Sequence, residues 1–470
     1  MEGSALLRAV EPRTEGLADG TSVVGAKTTE ERKDRLTTDG QAVTDEVLDA
    51  HVLPRLGVAY DATSSSPLEL VERVGRQCQI VWIVESGDPR LGSWARLLPR
   101  LGQVVDVAGR SASMVAESLR GELLDGVIAF TDSQLHLAAT VGQVLGLPGN
   151  PPEVVDALLD KVTQRIRLAE GGVTVPQFVR IASGTPVDEA IELAESVGFP
   201  MVVKPARGTA SRDVFQIADL GLLKSCFGTI IGGAPHLTED YLAEAWLNDA
   251  ESREWSFLGR YVSVEAVARD GVITPLAITG KFPTAPPSRE TGNFMPHHLA
   301  PEEAARVRTL SIEAAEALGV RSGALHIEIK LTENGPRVIE VNGRVGGGGI
   351  DQLYEATQGQ SLTRLATQIA LGQPFDLPVE GVLGDEPVEY DYFVQPPMGA
   401  SRLAAVGHLD AVPALEGVLS AQVNRTVGDD IDWREGSQGY VLSVRGSVPH
   451  HSDLADVAPR IMEALELAFD

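Results

Sequence analysis

The chain has 470 residues, 39 basic and 66 acidic side chains, a formal charge of −27, and 43% hydrophobic but only 5% aromatic residues. That length exceeds what one compact core holds and points to about three domains, and the acidic balance argues against a nucleic-acid partner, which needs clustered Lys and Arg to displace counterions from phosphates. No apolar run approaches the roughly 20 residues of a membrane helix, and the first residues have neither a basic n-region nor a sustained apolar stretch, so a cytoplasmic protein with no membrane partner is expected.

Two cysteines, Cys78 and Cys226, cannot frame a disulfide scaffold and lack the spacing of a zinc site. Both read as small core residues in a reducing compartment. An anionic chain repels a polyphosphate at long range, so such a ligand would need a local cluster of cations and metal.

Residues 1–77 read as a polar extension and linker, with a helical tendency around Ala42 to Leu53 and a linker at DATSSSP (61–67). From Gln79 the runs QIVWIVE, QVVDVA (103–108) and DGVIAF (125–130) are short, β-branched and separated by helical stretches, which predicts a parallel sheet over 78–150. ESGDPRLG after the first of these lacks the GxGxxG of a dinucleotide site, so a dehydrogenase is discounted. PEVVDALLDKVTQRIRLAE (152–170) predicts one helix closed by Gly171 and Gly172, and VDEAIELAESVGFP (187–200) a second. A strand MVVKPA (201–206) runs into the loop RGTASRD, and AEAWL (243–247) reads as a short strand. Beyond it the pattern turns antiparallel, with YVSVEAVA (261–268) and VITPLAITGK (272–281) around the hairpin signal Asp270-Gly271, then a helix over Pro301 to Leu318. The last hundred residues predict a smaller α/β appendage with strands near 388–395 and 440–445 and a final helix from 453. The fold class is α/β, more fully a multidomain α+β chain, divided at 151–247, 248–375 and 376–470.

The strongest chemical signal is GALHIEIKLTENGPRVIEVNGRVGGGGID (323–351). Leu325, Ile327, Ile329 and Leu331 alternate with Ala324, His326, Glu328 and Lys330; in the next strand Ile339 and Val341 alternate with Glu340, Asn342 and Arg344. A two-residue turn at Asn334-Gly335 would oppose Glu328 to Val341. A three-residue loop Glu333-Asn334-Gly335, with Gly left-handed, opposes Glu328 to Glu340 and brings the apolar sets together, so burial selects it. Two carboxylates about 4.5–5.5 Å apart at Cβ are unfavourable without a cation between them, and Mg²⁺ is the natural occupant, with Asn342 adding a neutral oxygen. Arg344, two residues on, suits a developing anion, and the run Gly346 to Gly349 lets backbone approach a ligand. A solvated acidic hairpin is the plain alternative.

Lys204 closes a buried strand ahead of Gly208, Thr209, Ala210 and Ser211, a small-residue loop whose amides could cradle phosphate without the Walker spacing. The apolar segment around Glu244 could read an adenine through backbone groups while Glu244 meets a ribose hydroxyl. Lys161 alone is uninformative. His297 and His298 are adjacent, so one at most faces a pocket and neither reads as a metal ligand.

The order Lys161, Lys204 with its loop, EAWL, Glu328 and E-V-N-G-R resembles the ATP-grasp superfamily over roughly 79–375. LHIEIKL, ETGN (290–293) and the C-terminal appendage are similar to the bacterial L-amino-acid ligases. The resemblance implies an ATP-grasp architecture with a Rossmann-like pre-grasp domain (78–150), a mobile lid (151–247), a catalytic antiparallel sheet (248–375) and a C-terminal subdomain. It implies ATP contacts at Lys161, Lys204 and Gly208 to Ser211, an adenine hinge of Glu244, Ala245, Trp246 and Leu247, and Mg²⁺ on Glu328, Glu340 and Asn342, as two ions with Mn²⁺ as an alternative. Arg344 would steady the acyl-phosphate and tetrahedral intermediate, Glu290 is the candidate base for the amine, and Glu290, Asn293, Arg344, Gly347 and Gly348 would line the substrate pocket. Relatives that make small dipeptides tend to carry His in place of Asn293 and a bulky aromatic near Gly348, so glycine at 348 is expected to leave more room. The implied function is an ATP-dependent carboxylate–amine ligase acting on amino acids or similar small molecules through an acyl-phosphate, releasing ADP and phosphate, with a homodimer left open. An ATP-grasp carboxylase, a purine-pathway-type enzyme and a catalytically inactive ATP-binding regulator are the competing readings.

Overall fold

A computed structural model describes residues 53–63, 65–75, 77–250, 255–376 and 387–470; the helical tendency at 42–53 falls almost wholly outside them. A parallel four-stranded sheet comes first, in the spatial order Gln103–Asp106, Gln79–Val84, Arg55–Ala59 and Gly126–Ala129. Its earliest strand, Arg55–Ala59, and the helix Pro67–Val74 lie in what the sequence assigned to extension and linker. RLGVA is buried from Leu56 onward and pairs on both sides, with Gln79–Val84 and with Gly126–Ala129. A short strand buried on both faces needs no alternation, so its sequence carries no period-2 signal. The supposed linker is ordered by Ser66, which caps the helix reciprocally with Glu69. The Asp61 carboxylate takes hydrogen bonds from the Thr63 N–H at 3.0 Å and from Thr131 and Ser133 at the start of the helix Asp132–Leu145. These bonds tie the segment after Arg55–Ala59 to the start of the helix that follows Gly126–Ala129.

The expected single helix over 152–170 is two, Pro152–Leu159 and Lys161–Glu170. Asp160 leaves helical geometry at φ −111° and ψ 109°, and its side chain accepts from the Thr163 N–H. The break frees the Lys161 N–H to donate to the Ala206 carbonyl at 2.8 Å, tying this helix to the strand Met201–Pro205. That strand belongs to a four-stranded antiparallel sheet ordered Phe178–Ile181, Tyr241–Ala245, Met201–Pro205 and Phe215–Ile217.

The largest sheet has eight antiparallel strands, ordered Gly335–Asn342, Gly323–Thr332, Tyr261–Arg269, Val272–Lys281, Gly292–Met295, Val388–Val394, Leu442–Val448 and Val418–Val423. Asp270 and Gly271, both at positive φ, close the hairpin as expected. The last three strands come from the supposed appendage and extend this sheet, while Leu403–Gly407 and Glu466–Phe469 pair separately as a two-stranded sheet. The strands expected near 388–395 and 440–445 are present, but strand partners are not visible in a single sequence. One face of the sheet buries Val262, Val264, Ile278, Leu325, Ile327, Ile329, Val338 and Val341 beneath the helix Pro301–Ala317; the opposite face carries Ser263, Glu265, Thr279, Lys281, His326, Glu328 and Glu340. Among the described residues no helix is long and apolar enough to cross a membrane.

Candidate functional site

Glu328 lies directly opposite Glu340, as the buried register requires, but the chain reaches that pairing by another route. Gly335 is left-handed at φ 90°, yet Thr332 pairs with Gly335 and Ile329 with Val338, one residue out of the expected register. A bulge at Ile339 restores it, so that Glu328 meets Glu340 and His326 meets Asn342. Val338, not Ile339, is the buried apolar residue there. The bulge leaves the Ile339 carbonyl free to accept from Arg165 Nη2 at 2.7 Å.

Three cations answer the two acids. Lys161 Nζ lies 2.8 Å from Glu340 Oε1 and donates to the Gly208 carbonyl at 2.6 Å. His326 Nε2 lies 3.6 Å from Glu328 Oε1, while its Nδ1 meets Glu265 Oε2 at 3.0 Å. Burial alone would lower the His326 pKa, but Glu265 lifts it to about 9, so the ring is cationic at neutral pH. Burial likewise works to raise Glu328, and His326, Lys281 and Lys161 override it to hold the carboxyl well below its ordinary range. Glu328 thus presents negative oxygens, and Asn342, donating through Nδ2 to the His326 carbonyl at 3.3 Å, keeps its Oδ1 for another partner. This donor set fits a hard divalent cation. Among the described residues no group of three or more His, Cys, Asp or Glu side chains is placed to hold a metal, so an ion here would complete its shell with Asn342, phosphate oxygens and water.

The loop 208–211 turns its carbonyls inward. Gly208 O accepts from Lys161, Thr209 O from the Arg212 N–H at 3.1 Å and Ala210 O from the Ser437 N–H at 2.7 Å. Ala210 and Ser211 have φ of 55° and 58°, and the N–H groups of 208–211 donate to no acceptor among the described residues. Free amides beside a lysine make an anion cradle. Lys204 is less available than expected: buried, with its pKa lowered by desolvation, it lies 2.6 Å from Glu244 Oε1. Glu244 also binds Arg165 Nε at 2.7 Å. Burial would raise the Glu244 pKa, but Arg165 and Lys204 bring it down to about 2. With both oxygens committed to this triad, Glu244 does not fit the ribose contact read from sequence. Along the hinge, the Ala245 and Trp246 N–H groups go to the Gln177 and Pro200 carbonyls at 2.8 and 3.0 Å, leaving that of Leu247 without a backbone acceptor among the described residues.

Glu244→Ala would strand Arg165 and Lys204 as buried unpaired cations. We expect a loss of about 3–5 kcal/mol, measured by urea unfolding at pH 7; a loss under about 1 kcal/mol would show that water already screens the triad.

On the substrate side, Glu290 Oε1 is 3.0 Å from Lys281 Nζ and accepts from the Tyr261 hydroxyl at 3.4 Å. Lys281 is fully buried and shares a strand face with Thr279, which bonds Glu265 at 2.9 Å. It was missed because VITPLAITGK read as a hairpin strand, although its parity with Thr279 places both on the polar face. Asn293, also fully buried, donates from Nδ2 to the Gly348 carbonyl at 2.7 Å, while its Oδ1 has no partner. A Cβ at 348 would lie 2.9 Å from Asn293 Nδ2 and 3.2 Å from Phe393, at φ 61°. The extra room expected there is already filled by these neighbours; the glycine that faces open space is Gly347. Arg344 is gripped by Asp132 of the parallel domain, with Nη2 and Nε 2.7 and 2.9 Å from Oδ2. No local motif announced Asp132. His297 is buried and His298 half-buried, and burial pushes their pKa down to about 4 and about 3.

The model of the ATP-grasp domain matches residues 197–352, which include the loop, the hinge, both acidic strands and the glycine run. The chain is 26% identical over 425 residues to the uncharacterised protein y4rH of Sinorhizobium fredii, covering 87% of this chain and 82% of that one. It is 23% identical over 357 residues to the L-arginine-specific L-amino acid ligase of Bacillus subtilis, covering 74% and 81%. Among solved structures, the L-amino acid ligase of Bacillus licheniformis superposes with a TM-score of 0.70 at 19% identity, over 89% of this chain and 99% of that one. Residues 197–352 thus carry an ATP-grasp domain, and the chain is similar to the amino-acid ligases that share it.

Proposed function

We propose that the protein is an ATP-dependent carboxylate–amine ligase, joining an amino acid or similar acid to an amine through an acyl-phosphate with release of ADP and phosphate. The reading rests on one observation above others: Glu328 and Glu340 are opposed across a bulged ribbon, with Asn342 beside them and Lys161, Lys281 and Arg344 around them. Hydroxide is too poor a leaving group for an acid and an amine to condense unaided, and phosphorylating the acid removes that barrier. Transfer of this kind is mostly positioning and charge neutralisation.

Glu328, Glu340 and Asn342 would hold Mg²⁺, which would supply neutralisation of the phosphate charge. The amides of 208–211 and the Lys161 ammonium would hold the phosphate tail, and the Leu247 N–H would read the adenine edge. Arg344, oriented by Asp132, would present its positive charge to the oxyanion that forms as the amine attacks the acyl carbon. Glu290, with Oε1 shared by Lys281 and Tyr261, suits binding and orienting the incoming ammonium better than removing its proton, so the role of base is withdrawn from it.

The test is ADP release across paired amino acids, with mass spectrometry of the products and a bicarbonate arm. ADP and a condensed product appearing together, dependent on both amino acids, is the expected result. ADP release driven by bicarbonate alone would replace the ligase reading with a carboxylase.

A further inference from the structure

We infer that Ser437 couples the phosphate loop to the substrate loop, so that residues 208–213 and Glu290 close as one unit. This rests on the ligase reading for what each loop holds. The Ser437 N–H donates to the Ala210 carbonyl at 2.7 Å, and its Oγ accepts from the Glu290 N–H at 2.9 Å. Gln395 Nε2 ties the two sides again, donating to the Ser437 and Glu290 carbonyls at 2.9 and 2.7 Å. One buried serine from the last third of the chain therefore touches a residue of the anion cradle and a residue of the substrate pocket, which lie 80 positions apart in sequence.

Its neighbours hold it there. Arg434 Nε lies 2.6 Å from Asp213 Oδ1, and the Arg434 carbonyl accepts from the Asp213 N–H at 3.3 Å. Trp433 meets Phe215 edge-on at 5.5 Å, packing this segment onto the small sheet behind the loop. Gly436 sits between them at φ 73° and ψ −143°, and any Cβ there would collide with the Ala210 carbonyl. Only glycine allows backbone to approach that closely in this conformation.

The chemical need is plain. An acyl-phosphate formed before the amine is enclosed is open to water: water adds at the carbonyl carbon, the bond from that carbon to the phosphate oxygen breaks, phosphate leaves, and the acid is regenerated with one ATP spent as ADP and phosphate. Joining the two loops through Ser437 makes enclosure of the phosphates and alignment of Glu290 a single event. Ser437 and Arg434 are positioning residues in this scheme and touch neither substrate.

Ser437→Ala keeps the N–H to Ala210 and removes the acceptor for Glu290. We expect ADP to exceed condensed product by about fivefold or more in this variant, against a one-to-one ratio in the wild type, with the KM for ATP changed by less than about twofold. Ser437→Thr, which retains the hydroxyl, should restore the ratio; a purely structural contact would lower both products together. Gly436→Ala prevents the close approach to Ala210, and trypsin cleavage after Arg207 in the presence of a non-hydrolysable ATP analogue and Mg²⁺ should become about tenfold faster than in the wild type. One-to-one stoichiometry in Ser437→Ala with unchanged cleavage in Gly436→Ala would overturn the inference. If the wild type releases no ADP with any amino-acid pair, the ligase reading fails, and the trypsin comparison still decides the coupling: faster cleavage in Gly436→Ala supports it, and equal rates reject it.

Discussion

Glu340→Gln should reduce Mg²⁺-dependent ADP release by about 10²- to 10³-fold while leaving the fold in place. The substitution exchanges one carboxylate oxygen for an amide of the same shape, so the bulged register and the apolar face beneath it are undisturbed. What it removes is one of the two charges that face each other across the ribbon. In the metal-free protein that charge is balanced by Lys161 at 2.8 Å, and Lys161 retains the Gly208 carbonyl at 2.6 Å when Glu340 is gone. Removal of one of two opposed anions offsets the loss of this ion pair, so the Tm of the metal-free variant should fall within about 2 °C of the wild type. The upward Tm shift that Mg²⁺ and nucleotide give the wild type should be lost, because binding stabilises only what can bind. Glu328→Gln should behave alike, and the double variant should be little worse than either, since the two side chains act as one site. Turnover near the wild-type level in Glu340→Gln would remove the metal role from this pair.

The legible parts of this protein were those written in local pattern. Alternation over Leu325 to Leu331 was enough to expect Glu328 opposite Glu340, although the three-residue loop invoked for that register is not the turn the chain makes. The bulge that delivers it was not legible: nothing in VIEVN marks Ile339 as the extra residue, and its function appears only once Arg165 arrives from another helix to take the freed carbonyl. The break at Asp160 was masked by continuous helical periodicity on either side, although an Asp ahead of Lys-Val-Thr is a legitimate cap signal. Glu244 misled for the opposite reason. An acid in an apolar strand suggests a ligand, and its true partners, Arg165 and Lys204, sit 79 and 40 residues away. Charge compensation across long separations, here and at Asp132 and Lys281, follows from tertiary placement and leaves no periodic trace. The sheet partners of the C-terminal strands escaped for the same reason, since sheet order places Val388–Val394 beside Gly292–Met295 across nearly a hundred residues.

Arg344→Ala should lower kcat by about 10²- to 10³-fold and move the KM for ATP by less than about threefold. The argument turns on where Arg344 is anchored. Its Nε and Nη2 are both committed to one oxygen of Asp132, at 2.9 and 2.7 Å, and Nη1 donates to the Val345 carbonyl at 3.2 Å. The guanidinium is thus held by a residue of the parallel sheet beside a site built by the antiparallel sheet, close enough to Glu340 and Glu328 to feel their charge. An arginine fixed in that way contributes most where charge develops during the reaction and little to the nucleotide's resting affinity. Arg344→Lys keeps the charge but not the planar fork, and should recover less than about a tenth of the lost rate. Asp132→Asn leaves Arg344 in place with a weaker anchor, and should cost about tenfold in kcat with the ATP KM unchanged. Because Asp132 opens the helix Asp132–Leu145, loss of its arginine partner leaves the carboxylate at a helix N-terminus that favours negative charge, so the stability of Arg344→Ala should drop by no more than about 2 kcal/mol. A variant that binds ATP more weakly but turns over normally when saturated would move Arg344 out of the reacting centre and into the nucleotide site.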